Sequence, residues 1–167
     1  EGCEIDDLDG NVDTLRGYRS LTHGDRPDVI ESPSLQDDIR HIGVILEQLA
    51  NDSIEPRQVC VAARTNDEAD AVSEGLRKAG IATLRLERST LDDSANPGVR
   101  VATMHRIKGL EFGVVIVANY KGAEKYAEHY ARNEDAGVSN ETETAERSLL
   151  HVAATRAKRH LFILERR

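Results

Sequence analysis

Apolar residues fall along this chain in two periodicities that alternate. From Ser34, a residue suited to helix capping, Leu35, Ile39, Ile42, Ile45, Leu46 and Leu49 recur at helical spacing until Asn51 and Asp52 close the run, which predicts an amphipathic helix. After Pro56, the short apolar run Val59 to Ala63 predicts a strand. Thr65 or Asn66 then caps a second helix with Ala69, Val72, Leu76 and Ala79 inward, ended by Gly80. Ile81 to Leu86 reads as the next strand, and the polar link Glu87 to Gly98 leads to strands at Val99 to Thr103 and Val114 to Ala118. Leu149 to Ala157 reads as helical, and His160 to Leu164 as the last strand.

Strands alternating with helices at these spacings predict an α/β fold with a mostly parallel sheet and helices on both faces. Residues 1 to 33, rich in Asp, Gly, Pro and Ser, read as a leader with at most one short strand, and residues 34 to 167 as the domain itself. Lys121 to Thr144 is polar and charged, with a weak helical patch at Tyr126 to Ala131, and reads as a surface excursion.

The length of 167 residues suffices for one domain with a core, and without Trp that core falls to Val, Leu, Ile and Ala. No apolar run approaches a membrane span and no leader of secretory type is present, so a cytoplasmic protein with no membrane partner is the expectation. Cys3 and Cys60 are too far apart in sequence to indicate metal spacing, and Cys60 reads as a small core residue. The net charge of −8 argues against a freestanding DNA-binding domain. The acidic excess, however, lies mainly in residues 1 to 55 and 124 to 146. Arg100, His105, Arg106, Lys108, Lys121, Arg156, Lys158 and Arg159 flank two other blocks, and local charge is what meets a phosphate.

Those blocks carry the chemistry. VRVATMHRIKGLEFGVVIVAN, Val99 to Asn119, joins two strand-like runs through a loop holding Thr103, His105, Lys108, Gly109 and Glu111. ERSLLHVAATRAKRHLFI, Glu146 to Ile163, puts Thr155 and Arg156 between an apolar helical stripe and a strand. TMHRIKGLEF resembles motif V, and LLHVAATRAKRHL motif VI, of the UvrD/Rep/PcrA family of superfamily 1 DNA helicases. VCVAARTNDEADAVSEGLRKAGI, Val59 to Ile81, is similar to the strand, turn and helix that precede motif V there. The resemblance fades before about residue 34 and implies a RecA-like (P-loop NTPase-like) 2A domain. In UvrD and PcrA a large 2B domain is inserted before motif V, whereas here only about a dozen residues make that link.

By the same resemblance, Arg156 of Thr-Arg-Ala is an arginine finger that reaches the γ-phosphate of ATP, where a guanidinium offsets developing charge. Glu111 matches the glutamate that binds the ATP ribose, a carboxylate accepting from a diol. Gly109 suits a tight turn near the nucleotide, and Thr155 flanks the finger; Lys108 contacts phosphate or is simply solvated. Thr103 and His105 match positions that touch single-stranded DNA, and Arg64 with Asn66 match a turn beside it. Bland readings compete: an arginine neutralising a helix C-terminus, a glutamate at a helix start, a hydrogen-bonded structural histidine.

Three lookalikes are set aside. Asp67 to Asp70 spells DEAD but falls in the first turn of a helix, not at a strand end beside a phosphate loop. GYRS, Gly17 to Ser20, mimics a motif whose arginine reaches phosphate, but Arg19 lacks the helix that should follow. His151 reads as packing. No G-x-x-x-x-G-K-[ST] loop occurs, so the chain alone is expected not to hydrolyse ATP; Mg²⁺ and the triphosphate would be held by a missing 1A domain. A chain that begins with Glu1 fits a fragment of such a protein. The resemblance implies 3′ to 5′ translocation and a role in repair or recombination. The alternatives are a non-catalytic interaction module, the motor part of a helicase-nuclease, and, more weakly, a small-molecule-binding α/β domain.

Overall fold

The computed structural model describes residues 4–6, 12–14, 26–87, 89, 92–121 and 136–166. Cys3, Arg19 and the helical patch expected at Tyr126 to Ala131 lie outside the described residues. Strands β1 (Glu4–Asp6) and β2 (Val12–Thr14) pair antiparallel as a separate ribbon. Then come β3 (Asp28–Glu31), α1 (Leu35–Asn51), a 3-10 turn at Pro56–Gln58, β4 (Val59–Ala63), α2 (Asn66–Lys78), β5 (Thr83–Arg85), β6 (Val99–Thr103), β7 (Phe112–Tyr120), α3 (Ala136–Ala154) and β8 (Ala157–Glu165).

Six strands form one sheet in the order β3-β8-β7-β4-β6-β5, with every pair parallel. β4 lies inside it and is buried at all five positions, which explains its unbroken apolar run. On one face α1 and α2 press Ile42, Ile45, Leu49, Val72 and Leu76 onto Val59, Val61, Val99, Val101, Val114 and Ile116. On the other, Met104, Ile107 and Ala153 pack over Cys60, Ala62, Ala102, Val115 and Val117. Each fully buried Ile or Leu among these stabilises the fold by about 1.5–3 kcal/mol relative to exposure. Burial also pushes the Cys60 thiol up from its ordinary pKa, in keeping with a core role.

Capping sets the helix starts. The Ser34 side chain accepts from the Asp37 N–H at 3.1 Å at the start of α1. Of the two candidate caps for α2 the structure selects Thr65, in a reciprocal box with Glu68. Gly80, at φ 81°, ends that helix as a left-handed cap.

Several element boundaries differ from the sequence expectation. α3 runs from Ala136 and stops at Ala154, where residues 149 to 157 were expected; its first half lacks an apolar stripe, and the turn at Thr155 and Arg156 ends it before Ala157. β8 therefore starts at Ala157, not His160: Phe112 pairs with Ala157 and Val114 with His160, and exposed Lys158 and Arg159 fall in the register shift between the two pairs, where no apolar pattern marks a strand. β7 is longer than expected at both ends and β5 shorter. The stretch ahead of Ser34, expected to hold at most one short strand, contains β1, β2 and the edge strand β3, and β3 bonds to β8, so the main sheet begins before residue 34.

Arg100, 2% exposed, organises the link between β5 and β6. Its guanidinium meets Asp92 at 2.9 Å and donates to the carbonyls of Asp93, Asn96 and Gly98. A Cβ on Gly98 would stand 3.0 Å from the backbone of Ala82 and Thr83, so only glycine lets β6 begin this close to the start of β5. Gly98→Ala is expected to cost about 1–3 kcal/mol through overpacking; urea denaturation of the two proteins gives the comparison.

Candidate functional site

Because all strands of the large sheet are parallel, their C-terminal ends share one edge, and Arg64, Thr103 and Arg85 sit at or just past the ends of β4, β6 and β5. Together with Asn66, His105, Arg106 and Lys108 they line an open cleft of about 970 Å³. Four of the residues expected on the DNA side, Thr103, His105, Arg64 and Asn66, thus converge. Lys108, expected with the nucleotide residues, stands with these instead. Arg64, Arg85, Arg106 and Lys108 outnumber Asp70 and Glu87 there, so the cleft is locally basic within an acidic chain.

Its side chains are held. Arg85 donates to Asp70 at 2.7 Å and to the Asn66 side-chain oxygen at 3.0 Å. The Arg106 Nε donates to the Glu87 carbonyl at 2.8 Å, and Thr103 Oγ1 accepts from the Arg106 N–H. His105 and Lys108 are exposed. Arg85 escaped the sequence reading, although its place at a strand end was the available signal.

Behind the cleft lies a second unforeseen partner. Arg64 grips Glu146 with both arms of its guanidinium, Nε to Oε2 at 2.6 Å and a terminal nitrogen to Oε1, with Glu146 only 7% exposed. Glu146, Leu149, Leu150 and Ala153 recur at i, i+3, i+4 and i+7, so the carboxylate shares the inward face of α3. That spacing was readable, but Glu146 was counted with the acidic surface excursion. Glu68, besides capping α2, accepts from the Arg64 N–H at 3.2 Å and from the Asn119 side chain. Asn119 takes a left-handed conformation at φ 55°, and its backbone N–H bonds Asp38. Asp38, buried in the first turn of α1, also accepts from Ser32 and, at 3.1 Å, from Arg166. Burial pushes the Asp38 pKa up, against the pull of Ser32 and Arg166. The C-terminal edge is thereby laced from α1 to α3.

The opposite edge holds the remaining candidates. Residues 104 to 111 cross the sheet from the end of β6 to the start of β7, with Met104 and Ile107 buried beneath. Gly109 turns this crossover at φ 86°, and no atom lies within 4 Å of where its Cβ would be, so it serves the turn and not a close contact. The crossover delivers Glu111 beside Arg156: the Phe112 N–H donates to the Arg156 carbonyl at 2.9 Å, and Phe112 pairs with Ala157. Glu111 is 60% exposed and meets Lys158 at 2.7 Å. That hydrogen bond and charge, with a smaller contribution from Arg156, hold its carboxyl below the ordinary glutamate value. Glu111, Lys158, Arg159 and Arg57 border a shallow groove of about 380 Å³.

Thr155 and Arg156 close α3. The Thr155 hydroxyl donates to the Val152 carbonyl at 2.9 Å, and the Arg156 guanidinium reaches the same carbonyl at 3.3 Å and Thr155 Oγ1 at 3.1 Å. Arg156 therefore caps its own helix here, on the same edge as Glu111. Among the described residues there is no cluster of potential metal ligands, and no helix is long and apolar enough to cross a membrane.

Comparison with known proteins gives these arrangements a context. A family model described as the UvrD-like helicase C-terminal domain matches residues 82–166, from the start of β5 to the end of β8. A solved C-terminal domain of a possible DNA helicase from Lactobacillus plantarum WCFS1 is 24% identical, with a TM-score of 0.62 over 86% of this chain and 75% of that one. It shows the fold, a helicase-type RecA-like α/β domain. The Pyrococcus furiosus Hef helicase domain (17% identical, TM-score 0.46, 77% of this chain and 25% of that one) and the C-terminal part of the Fun30 ATPase domain (11%, 0.46, 77% and 40%) are more distant. No curated protein matches the chain.

Lys158→Gln removes the main influence on Glu111, so the Glu111 carboxyl should titrate closer to its ordinary value of 4.5. A depressed folded-state pKa contributes stability in full above 4.5 that is lost as pH falls through the folded value. Carbon-detected NMR titration of both proteins reads the midpoint, and an unmoved midpoint would remove Lys158 as its cause.

Proposed function

Because this chain belongs to the UvrD-like helicase C-terminal domain family, we propose that it is the second motor domain of an ATP-dependent DNA helicase, completing an ATP site held mainly by a preceding 1A domain. The observation that carries this reading is the position of Glu111 beside Arg156 on one edge of the sheet, while the basic cleft occupies the other.

The exposed Glu111 carboxylate suits a ribose diol, and Arg156 stands beside it on a turn that a partner domain can approach. Bound ATP supplies the phosphoanhydride whose cleavage drives the motor, with Mg²⁺ held by the 1A domain. On domain closure Arg156 leaves the end of α3 for the γ-phosphate, where its charge counts most as the bond breaks. At the opposite edge Thr103, His105, Arg106 and Lys108 track the backbone of single-stranded DNA without reading its bases. Opening and closing against the 1A domain then ratchets the strand, 3′ to 5′ by family resemblance, in the service of repair or recombination.

The self-capping of Arg156 favours a second reading, a non-catalytic module in which this arginine only finishes a helix. Turnover separates the two. In the protein that joins this chain to its phosphate-loop domain, Arg156→Ala should lower DNA-stimulated ATP hydrolysis roughly a thousandfold or more while ATP still binds. Unchanged hydrolysis would take Arg156 out of the mechanism. Lys108→Ala should weaken oligo(dT) binding and reduce the salt dependence of log K by about 0.7 if one single-strand phosphate contact is lost; anisotropy titrations over a salt series measure both.

A further inference from the structure

Arg64 and Arg156 belong to opposite edges of the sheet, yet one element joins them. α3 carries Glu146, near its middle, against Arg64 of the cleft and delivers Thr155 and Arg156 at its C-terminal end. Between Glu146 and Ala154 the helix rises about 12 Å. Leu149, Leu150 and Ala153 fasten its inner face to the sheet. Arg64 itself lines the cleft, is 17% exposed, and holds Glu146 through two parallel bonds, a geometry that resists rotation of either group.

From this juxtaposition we propose that the Arg64–Glu146 pair is the strut that couples nucleic acid in the cleft to the placement of Arg156, with Glu146 as a positioning residue. A phosphate entering the cleft draws on the Arg64 guanidinium, and the fork grip turns that displacement into a shift of α3. Such a helix moves as a unit, so the turn at Thr155 and Arg156 shifts with it. Glu68 supports the strut from behind by accepting from the Arg64 backbone N–H while bonding Asn119, which keeps the base of Arg64 fixed as its tip responds. Coupling of this kind needs an element that both sites can bias, and α3 is so placed, because Glu146 meets Arg64 of the cleft and its last turn carries Arg156.

The inference rests on the motor-domain reading above, and the test separates the two. In the protein with its phosphate-loop domain, Glu146→Gln keeps the size of the side chain and removes its charge. Basal ATP hydrolysis and KM for ATP should stay within about twofold of the parent, whereas stimulation by oligo(dT) should fall at least tenfold. A melting curve monitors folding. Should that variant fail to fold, Glu146→Asp keeps the charge but shortens the side chain by one carbon, which breaks the two-bond grip on Arg64 while leaving the cleft residues unchanged. It too should keep basal turnover within about twofold and lose most of the stimulation. If either folded variant is stimulated as the parent is, or if basal and stimulated rates fall together, the strut is refuted while the motor reading stands. A parent protein that oligo(dT) does not stimulate would overturn the motor reading, and the strut with it.

Discussion

Parallel pairing is the constraint from which the rest of the molecule follows. With every strand of the main sheet pointing one way, each connection must travel from one edge to the other, and short connections cross the sheet as rods. Residues 104 to 111 and α3 are two such rods on the same face. Residues 104 to 111 begin among cationic side chains at the C-terminal edge, α3 meets Arg64 there through Glu146, and both segments end near Glu111, Arg156 and Lys158 at the other edge. The two motif blocks therefore do not map onto two sites; each block contributes to both. Chemistry that must link two ligands is served by such an arrangement, because the connecting segments are themselves the shared parts.

Electrostatics follow the same division. The chain is acidic as a whole, but its carboxylates are used to aim cations: Asp70, helped by the Asn66 amide oxygen, fixes Arg85, Glu146 fixes Arg64, Asp92 fixes Arg100 and Glu111 meets Lys158. Most of these pairs are partly or fully exposed and contribute little to stability. Arg64–Glu146 differs because both partners are largely withdrawn from water; removing one would leave a buried charge without its counterpart. Pairs of this kind favour a definite geometry more than a deeper energy minimum.

Much of this was legible in the sequence, where one physical signal dominated. β4, β6 and both helices of the first face announce themselves because burial on a sheet or under an amphipathic stripe demands a regular apolar pattern, and Ser34 and Thr65 offer the hydroxyls that helix starts require. Thr103, His105, Arg64 and Asn66 do converge where strands end, whereas Glu111 and Arg156 stand together just ahead of β7 and β8 on the opposite edge, so the two motif blocks do not form one surface. What stayed hidden lacked that signal. β3 has only Ile30 turned toward the core, α3 opens on a stretch without an apolar stripe, and Lys108 was divided from its cleft neighbours by motif habit. Glu146 was hidden by composition, since a charged residue in an acidic run looks solvated until its inward phase is noticed.

Arg100 gives the link before β6 a self-sufficient architecture. One side chain rooted in the sheet gathers Asp92, Asp93, Asn96 and Gly98 around itself, so the loop's shape is dictated from below and owes little to flanking helices. A hinge point organised in this manner works like a plug socket: its two terminals are held at a set spacing whatever is wired between them. Sequence added within that link would meet strand ends whose spacing Arg100 and Gly98 already set.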